Sequence, residues 1–317
     1  MPLSDGIPLF EDLPLLDEGS EEHHAWDVWG RDDQIGSFNR LTPEHVVGAA
    51  QLVRTGKVIN LDLPLNEPDP PLGDRERFKH HIETGRQTRD DWLDGFFLQG
   101  SSQWDALSHV RYRQYGYWGG RQDDDVNAGR ECGIDRWAER GIVGRGVLID
   151  AKRHFDCPPD ERFPITGPMI EEIAKAQRVA IESGDILLLR TGWLAWLLSL
   201  DQEMRESLRG SVRPEPSGMQ APGLDGARET AAWLWDQGIS AVGADNHALE
   251  ALHVLREEGF QHRRLLPMLG IAIGEYFDLE ALAVDCAADG VYEFMLVSSP
   301  LNLPGGVGSP PNAYAIK

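Results

Sequence analysis

Residues 99–109 read Gln-Gly-Ser-Ser-Gln-Trp-Asp-Ala-Leu-Ser-His, which places an amide, a carboxylate and an imidazole within one short window. On a strand, Gln103 and Asp105 would share one face, because side chains alternate along a strand. A helical turn beginning near Asp105 would bring His109 back over the same side. The window therefore indicates a metal or catalytic site. The alternative, which the local pattern leaves open, is a solvated Gln103, a helix cap at Asp105 and a surface His109.

Length and composition predict a single domain. The chain has 317 residues, of which 41% are hydrophobic, so it can bury a substantial core. No internal repeat or low-complexity linker divides it, and we therefore expect one domain over residues 1–317. Within it, residues 1–40 form an acidic, loop-like arm that Trp26 and Trp29 anchor to the main body.

Charge and cysteine content limit the classes of partner. The formal net charge of −22 argues against nucleic acid and against anionic membrane surfaces. The start of the chain, Met1 to Pro14, has neither a basic region nor an apolar region typical of a signal peptide. The longest apolar stretch, Ile186 to Leu200, contains Arg190 and Gly192 and does not resemble a membrane span. Three widely spaced cysteines favour a reduced, cytoplasmic protein, and the charge argument leaves a small molecule as the expected partner.

Hydrophobic patterns predict intermingled helices and strands, which indicates a mixed α and β domain. The first predicted helix starts at Thr42-Pro43-Glu44 and stops at Gly56. Further helices are predicted at 167–184, 227–237 and 279–288. The predicted strands are 58–65, 143–149, 185–190, 239–244 and 292–298. A proline-rich irregular loop between the first helix and residue 99 is expected to carry Lys79, His80 and His81. A Gly/Pro-rich tail follows residue 298.

Other residues outside the opening window could carry chemistry. Asp245-Asn246-His247 follows a predicted strand, where it could serve a site or cap the next helix. His262 and Glu275 flank the apolar run Leu265–Ile273, a candidate strand between two site residues. A buried Glu275 would need a partner, although it could equally be a surface cap. Residues 305–309 are glycine-rich but lack the features of a phosphate loop, and the motifs of serine hydrolases and Rossmann domains are missing.

Taken in order, several motifs resemble the cyclase-type metal-dependent hydrolase family, which includes kynurenine formamidase, isatin hydrolase and a dienelactone hydrolase. The resemblance covers nearly the whole length. The motifs are Trp29-Gly30-Arg31-Asp32-Asp33-Gln34-Ile35-Gly36, Asn39, Leu41-Thr42-Pro43, Gly184-Asp185-Ile186-Leu187-Leu188-Leu189-Arg190-Thr191-Gly192-Trp193, His262-Arg263-Arg264-Leu265-Leu266, Gly274-Glu275, Asp278-Leu279 and Gly308-Ser309-Pro310.

The resemblance also implies a ligand set. The family's pattern of a His, then Gly-Thr-His, then Asp and a final His matches Asp105 and His109, while the earlier His positions fall on Gln99 and Gln103. With two imidazoles replaced by amide oxygens, the set suits harder ions. We therefore predict one divalent ion, Mn²⁺ at least as readily as Zn²⁺, with Gln103, Asp105 and His109 as ligands. His262 and Glu275, with His109, are the predicted catalytic residues, as general base and to orient water.

The implied fold is α+β, a mixed swivelling β/β/α arrangement, and the implied assembly is a homodimer or homotetramer. The implied reaction is hydrolysis of a cyclic or aryl amide, or of a lactone. His81 and His247 are candidate supporting or substrate contacts. An aromatic pocket could be formed by Trp104, Tyr115, Tyr117 and Trp118, although core or surface packing explains such residues as well. Two other hypotheses stay open: a metal-dependent lyase, dehydratase or isomerase, and a degenerate member that binds a ligand without turnover.

Overall fold

The computed structural model describes residues 6–211 and 218–317. Residues 1–5 lie outside these ranges; they belong to the predicted arm and to the segment Met1 to Pro14 that shows no signal-peptide pattern. The strands are β1 (Val58–Asn60), β2 (Lys79–Thr84), β3 (Arg89–Asp94), β4 (Gln103–Asp105), β5 (Ile142–Asp150), β6 (Phe163–Ile165), β7 (Ile186–Arg190), β8 (Pro222–Leu224), β9 (Ala241–Ala244), β10 (Ala272–Glu275), β11 (Glu293–Ser298), β12 (Gly308–Ser309) and β13 (Ala313–Ile316). The helices are α1 (Pro43–Ala50), α2 (Asp123–Asn127), α3 (Asp135–Arg140), α4 (Ala151–Phe155), α5 (Gly167–Gln177), α6 (Trp193–Ser199), α7 (Gln202–Arg209), α8 (Arg228–Asp236), α9 (Gln261–Arg264) and α10 (Glu280–Asp289).

A mixed nine-stranded sheet forms the centre of the fold, in the order β1-β13-β11-β5-β7-β9-β10-β4-β12. The four strands β5, β7, β9 and β10 run parallel, and the strands outside them pair antiparallel. The parallel strands are almost entirely buried, because such strands are covered on both faces and consist largely of apolar residues. Helices and strands thus form the single domain of mixed type that the sequence predicts.

The edge of the sheet where β4 lies positions the candidate site. β4 pairs antiparallel with β10, so that Gln103 lies opposite Glu275 and Asp105 opposite Ile273. On its other side β4 pairs with β12, where Gly308 lies opposite Asp105. The glycine-rich tail therefore supplies the last strand of the sheet, which the Gly/Pro content of the sequence concealed.

Several predicted elements have different bounds in the structure. The first helix ends at Ala50 rather than near Gly56, and the strand that follows it is limited to Val58–Asn60. The run Leu265–Ile273 is not one strand: Leu265–Leu269 forms a π-helical turn. Gly270, with φ +64°, ends that turn, and only then does the chain extend into β10. Gly270 packs so closely on Gly36 that a Cβ on Gly36 would lie 2.3 Å from the Gly270 oxygen.

The predicted loop that carries His80 and His81 is instead an exposed hairpin formed by β2 and β3. His80 contacts Asp91 at 2.7 Å, and the His81 ring stacks on Trp92 with 4.8 Å between the ring centroids. Both strands are polar and exposed on both faces, so no apolar alternation marked them as strands.

The described part of the N-terminal arm contacts the main body through both of its tryptophans. Trp26 is buried and donates its indole N–H to the Pro267 oxygen at 2.6 Å. Trp29 packs edge-on against Trp235, with ring centroids 5.7 Å apart. The three cysteines of the chain are free and buried. Across the described residues, no helix has both the length and the apolar character needed to span a membrane.

Candidate metal centre

Three buried side chains converge at the β4 edge of the sheet: Asp105, His262 and Glu275. One ligand atom from each lies within 4.8 Å of the others. Asp105 is completely buried, and His262 and Glu275 are each 4% exposed. Asp105 ends β4, Glu275 ends the neighbouring β10, and His262 comes from the short helix α9. The buried position of Glu275 settles one question that the sequence left open, because this residue is not a surface cap.

Alternation along β4 places Gln103 and Asp105 on one face, as expected from their spacing. The Gln103 amide donates to Glu275 Oε2 at 2.6 Å across the β4–β10 pair. The other Glu275 oxygen lies 3.1 Å from His262 Nε2, which is also 3.5 Å from Asp105 Oδ2. The four side chains therefore form one continuous polar cluster.

His109 joins the cluster from its exposed side. The chain turns after Asp105, with the His109 N–H donating to the Ala106 oxygen, so that a turn rather than the expected helix returns His109 to this face. His109 Nε2 lies 3.7 Å from Asp105 Oδ1, and the side chain is 25% exposed. A solvated Gln103, a cap at Asp105 and a surface His109 are therefore wrong.

The structure adds Glu250, which the sequence analysis did not single out. Its Oε1 accepts from the backbone N–H of His262 at 2.8 Å and lies 2.9 Å from His262 Nδ1. The other Glu250 oxygen lies 3.0 Å from the same Nδ1. An ionised carboxylate can only accept, so Nδ1 carries a proton that it donates to Glu250, and Nε2 is the nitrogen that faces Asp105 and Glu275 and becomes a metal donor once its own proton is lost. The sequence pattern that could have identified Glu250 is a carboxylate between apolar residues, in the stretch Ala-Leu-Glu-Ala-Leu at 248–252.

The loop after β9 brings Glu250 to this position. The Asn246 amide donates to the oxygens of Pro222, Leu249 and Glu250, at 2.8, 3.2 and 3.0 Å. β8 passes close beside this loop at Gly223, where a Cβ would lie 2.4 Å from the Glu250 carbonyl carbon. The loop can therefore pack against β8 only because residue 223 has no side chain.

Asp245 has a structural role, although not on the next helix as expected. It accepts from the N–H and hydroxyl of Thr191 at 2.7 and 2.6 Å, and from the Gly192 N–H at 2.7 Å. It thus holds the start of α6, an earlier helix. His247 is buried and hydrogen-bonds through Nδ1 with the Tyr276 hydroxyl, next in sequence to Glu275.

Burial and mutual charge set the ionisation of the cluster. Burial opposes ionisation of Asp105, yet the charges of His109 and His262 hold the pKa of that carboxyl below its usual value. Burial raises the pKa of Glu275 to about 7. Burial alone would lower the pKa of His262, but the charge of Glu250 and the surrounding hydrogen bonds raise it well above its ordinary value. The carboxyl groups around His262 therefore favour its protonated, positively charged form, with the second proton on Nε2.

Buried oxygens without hydrogen bonds indicate whether a cation fits the cluster. Both oxygens of Asp105 and the Oε1 of Gln103 are buried without a hydrogen-bond partner among the described residues. Unpartnered buried oxygens are costly unless something positive satisfies them. Together with Glu275 and His262 they offer an oxygen-rich donor set with one imidazole, which fits a divalent ion.

Other predicted residues lie elsewhere. His81 has no polar or ring contact with the cluster within the described part of the chain and packs on the exposed hairpin. Two of the four aromatic residues predicted to line a pocket, Trp104 and Trp118, are completely buried in the core. The polar ends of all four make contacts elsewhere. The Trp104 indole donates to Ser298, the Tyr115 hydroxyl to Asp17, the Tyr117 hydroxyl to Asp123 and the Trp118 indole to Asp33.

Gln99, at the other replaced histidine position, packs against the backbone of β12. A Cβ on Gly308 would lie 2.5 Å from Gln99 Nε2, which is buried and has no hydrogen-bond partner among the described residues. Arg75, a residue not considered from the sequence, acts on the cluster through its charge. It lowers the pKa of Asp105, of Glu275 and of His109.

The chain matches the model of a family described as "Putative cyclase" over residues 24–251, and it therefore belongs to that cyclase family. The resemblance stated from the sequence motifs is confirmed. The comparison with curated proteins finds no match.

Solved structures share the fold. A crystal structure described as a novel cyclase is 35% identical, covers 93% of this chain and 99% of its own, and gives a TM-score of 0.82. Isatin hydrolase A from Labrenzia aggregata, bound to benzyl benzoate, is 20% identical over 89% of this chain and 100% of its own, with a TM-score of 0.59. An isatin hydrolase bound to the product analogue thioisatinate is 17% identical over 85% and 95%, again with a TM-score of 0.59. The predicted α+β cyclase-like fold is confirmed.

Proposed function

We propose that this chain is a metal-dependent hydrolase that opens a cyclic or aryl amide, or a lactone. The observation that carries the proposal is Asp105, a completely buried carboxylate beside His262 and Glu275. Neither of its oxygens accepts a hydrogen bond from the described residues, and the histidine nitrogens that approach them stay 3.7 Å and 3.5 Å away. Membership of the cyclase family and the shared fold of the isatin hydrolases support the same reaction class.

We assign the binding of one divalent ion to Asp105, His262 and Glu275, with the Oε1 of Gln103 as a further oxygen donor. The ion would supply Lewis acidity, which makes water more acidic and polarises a substrate carbonyl. Because three of the four donors are oxygens, we expect Mn²⁺ to bind at least as readily as Zn²⁺. The earlier assignment of His109 as a ligand gives way here to a role in proton transfer.

His109 is suited to move the proton. Burial lowers its pKa, so its imidazole is neutral near pH 7, and its side chain keeps a quarter of its surface accessible. We infer that His109 accepts a proton from the attacking water as the water oxygen bonds to the carbonyl carbon. The ring C–N or C–O bond then breaks, and the same proton passes to the departing nitrogen or oxygen. The products are a free amine or hydroxyl and a carboxylic acid, which ionises to a carboxylate and releases the second proton of the water to the solution.

Glu250 and Gln103 act as positioning residues in this proposal. Glu250 fixes the imidazole of His262 so that Nε2 faces the other two ligands. Gln103 holds one oxygen of Glu275, which leaves the second oxygen directed at His262. Both contacts orient donors before a substrate arrives, which is the usual requirement for a precise metal site.

The test combines metal content with proton release. Protein purified without added metal is analysed for bound ions, stripped with a chelator and reloaded with Mn²⁺ or Zn²⁺. Lactones and N-formyl aryl amines are then added at constant pH, and acid release is titrated. Asp105→Asn should lose both ion and acid release. Asp201→Asn, the same change at the exposed cap of α7 where the side chain accepts from Met204, should retain both. Two tightly held zinc ions per chain would contradict the single-ion assignment.

The two other hypotheses give different outcomes in the same experiment. A lyase, dehydratase or isomerase would consume substrate in a metal-dependent way without releasing acid from these compounds. A degenerate binding member would hold a ligand without turnover, even when loaded with metal. The homodimeric or homotetrameric assembly stays a prediction, which sedimentation of the full chain would check.

A further inference from the structure

A second cavity lies beside the metal centre and has the opposite charge. It has a volume of about 780 Å³, and its lining includes Tyr112, Phe260 and four arginines, Arg113, Arg256, Arg263 and Arg264, together with two glutamates, Glu22 and Glu257, which leaves a net positive charge. We call it the arginine pocket. Tyr112 lies three residues after His109, and Phe260 and Arg263 flank His262 in sequence. The pocket therefore borders the candidate metal centre along two segments of chain.

Three guanidinium groups of the arginine pocket have no carboxylate partner. In the described part of the chain, no ion pair engages Arg113, Arg256 or Arg263, and all three side chains are exposed. A fourth lining arginine, Arg264, is neutralised by Glu22 at 2.8 Å. The chain carries 52 acidic against 30 basic residues, so unpaired arginines are not a consequence of too few acids. An unpaired positive cluster in an acidic protein favours an anion from outside.

The guanidinium charges converge on one wall of the pocket. Burial and the charge of Glu22 raise the pKa of the Tyr112 hydroxyl, whereas the charges of Arg113, Arg264 and Arg263 lower it. Three positive groups from two separate segments therefore lie within electrostatic range of one phenol. Arg113 also lies 5.4 Å from the centroid of the Tyr112 ring.

Flat rings line the arginine pocket as well. Phe260 lies 5.8 Å from the Arg263 guanidinium, and its ring stacks on His262 with 4.8 Å between centroids and 8° between planes. The Tyr112 ring lies 6.1 Å from Tyr115. Aromatic rings beside guanidinium groups suit a ligand that has both a flat ring and a negative charge.

From these contacts we infer that the arginine pocket binds a flat organic anion, whose ring packs on Phe260 and Tyr112 and whose carboxylate or phosphate is held by Arg113, Arg256 and Arg263. The inference goes beyond the proposed hydrolysis, because it requires neither the metal ion nor turnover.

The experiment is calorimetric titration of the metal-loaded full chain with four probes: phthalate, phenyl phosphate, inorganic phosphate and benzamide. The first two carry both ring and charge, and comparison between them separates a carboxylate ligand from a phosphate ligand. Inorganic phosphate lacks the ring, and benzamide lacks the charge. We expect phthalate or phenyl phosphate to bind about tenfold more tightly than either control probe, with affinity falling as salt rises.

Variants localise the binding. Arg256→Gln and Arg263→Gln should each weaken the better probe about threefold to fivefold, and Phe260→Leu should weaken ring-bearing probes but not inorganic phosphate. Arg54→Gln, an exposed and unpaired arginine outside the pocket, is the matched control and should change nothing. Circular dichroism confirms that each variant is folded.

Asp105→Asn separates this inference from the proposed function. If the anion still binds to Asp105→Asn, the arginine pocket stands even when acid release fails in every assay. Loss of anion binding in Asp105→Asn would place the anion at the metal centre and overturn the inference. Equal affinity for benzamide and phthalate, unchanged affinity in both arginine variants, or the absence of measurable binding would overturn it as well.

Discussion

Replacing Glu250 by glutamine tests whether the metal centre depends on the orientation of one imidazole. In the wild type, Glu250 Oε1 accepts from the His262 backbone N–H, and both carboxylate oxygens lie within 3.0 Å of Nδ1. Glutamine keeps one of these oxygens but replaces the other by an NH₂ group. That NH₂ would face an N–H at Nδ1, a contact between two donors.

The imidazole can escape that contact only at a cost to metal binding. If its proton moves to Nε2, Nδ1 accepts from the new amide, but Nε2 then donates to Glu275 and Asp105 instead of offering a lone pair. Loss of a partner that orients a ligating histidine lowers metal affinity about 10- to 100-fold, which corresponds to about 1.4–2.8 kcal/mol. We expect Glu250→Gln to fall in this range for both Mn²⁺ and Zn²⁺.

Isothermal titration of chelator-stripped protein measures the affinity, and thermal melting shows that the variant is folded. Glu280→Gln is the matched control, because Glu280 also accepts two charge-assisted bonds, from Arg190 at 2.8 Å, and makes no hydrogen bond with Asp105, His262 or Glu275 among the described residues. It should lower thermal stability without changing the affinity for metal. A Glu250→Gln protein that binds both ions within threefold of the wild type would refute the reasoning.

The remaining predictions concern packing, ionisation and donor type. Gly223→Ala should cost about 1–3 kcal/mol of unfolding free energy and weaken metal binding, because the new Cβ would lie 2.4 Å from the Glu250 backbone. The control is Gly48→Ala on α1, which has open space around it and should not destabilise the protein. A normal affinity for metal in Gly223→Ala would contradict the close packing of this loop. Burial raises the pKa of Asp62 to about 6, so the folded state binds the proton of this carboxyl group more tightly than the unfolded state does. The protonated group therefore contributes to stability below about pH 4, and that contribution is lost as the pH rises through 6. Relative to the wild type, Asp62→Asn should therefore gain up to about 3 kcal/mol in unfolding free energy between pH 4 and pH 7, measured by urea denaturation, and a difference independent of pH would count against it. Gln103→His should raise the ratio of Zn²⁺ to Mn²⁺ affinity on the order of tenfold, because a nitrogen donor replaces an oxygen; an unchanged ratio would exclude this side chain as a donor.

The sequence predicted those parts of the site that depend on local geometry. The spacing of Gln103 and Asp105 predicted a shared face on a strand, and β4 confirms it. The central strands were predicted from continuous apolar runs, because strands of a covered parallel sheet are buried on both faces. The apolar run between His262 and Glu275 marked them as candidates, but only the family resemblance joined them to the Asp105 site, since their closeness to Asp105 depends on sheet register.

Features that depend on distant contacts could not be predicted. Glu250 reaches His262 only because Asn246 folds its loop back onto β8 beside Gly223, and none of these contacts leaves a local pattern. The hairpin that carries His81 lacked apolar alternation because both of its faces are exposed. The tail strand β12 was hidden by glycine, which weakens strand propensity but here lets Gln99 approach the backbone.

The glutamine at position 103 explains how the cluster can lose an imidazole and still suit a cation. Like a neutral histidine, the Gln103 amide has both a donor and an acceptor end, but its acceptor is an oxygen instead of a nitrogen. Its donor end holds Glu275 at 2.6 Å, and its acceptor end remains buried and unpartnered among the described residues, on the same strand face as Asp105. The carboxylates of Asp105, Glu250 and Glu275 surround one imidazole, and burying them together is costly unless positive charge balances them. In the metal-free protein a proton on His262 supplies part of that balance, because the pKa of this group lies well above its ordinary value. A divalent ion would displace that proton and supply more charge, so binding should release a proton, and the apparent affinity for metal should rise with pH.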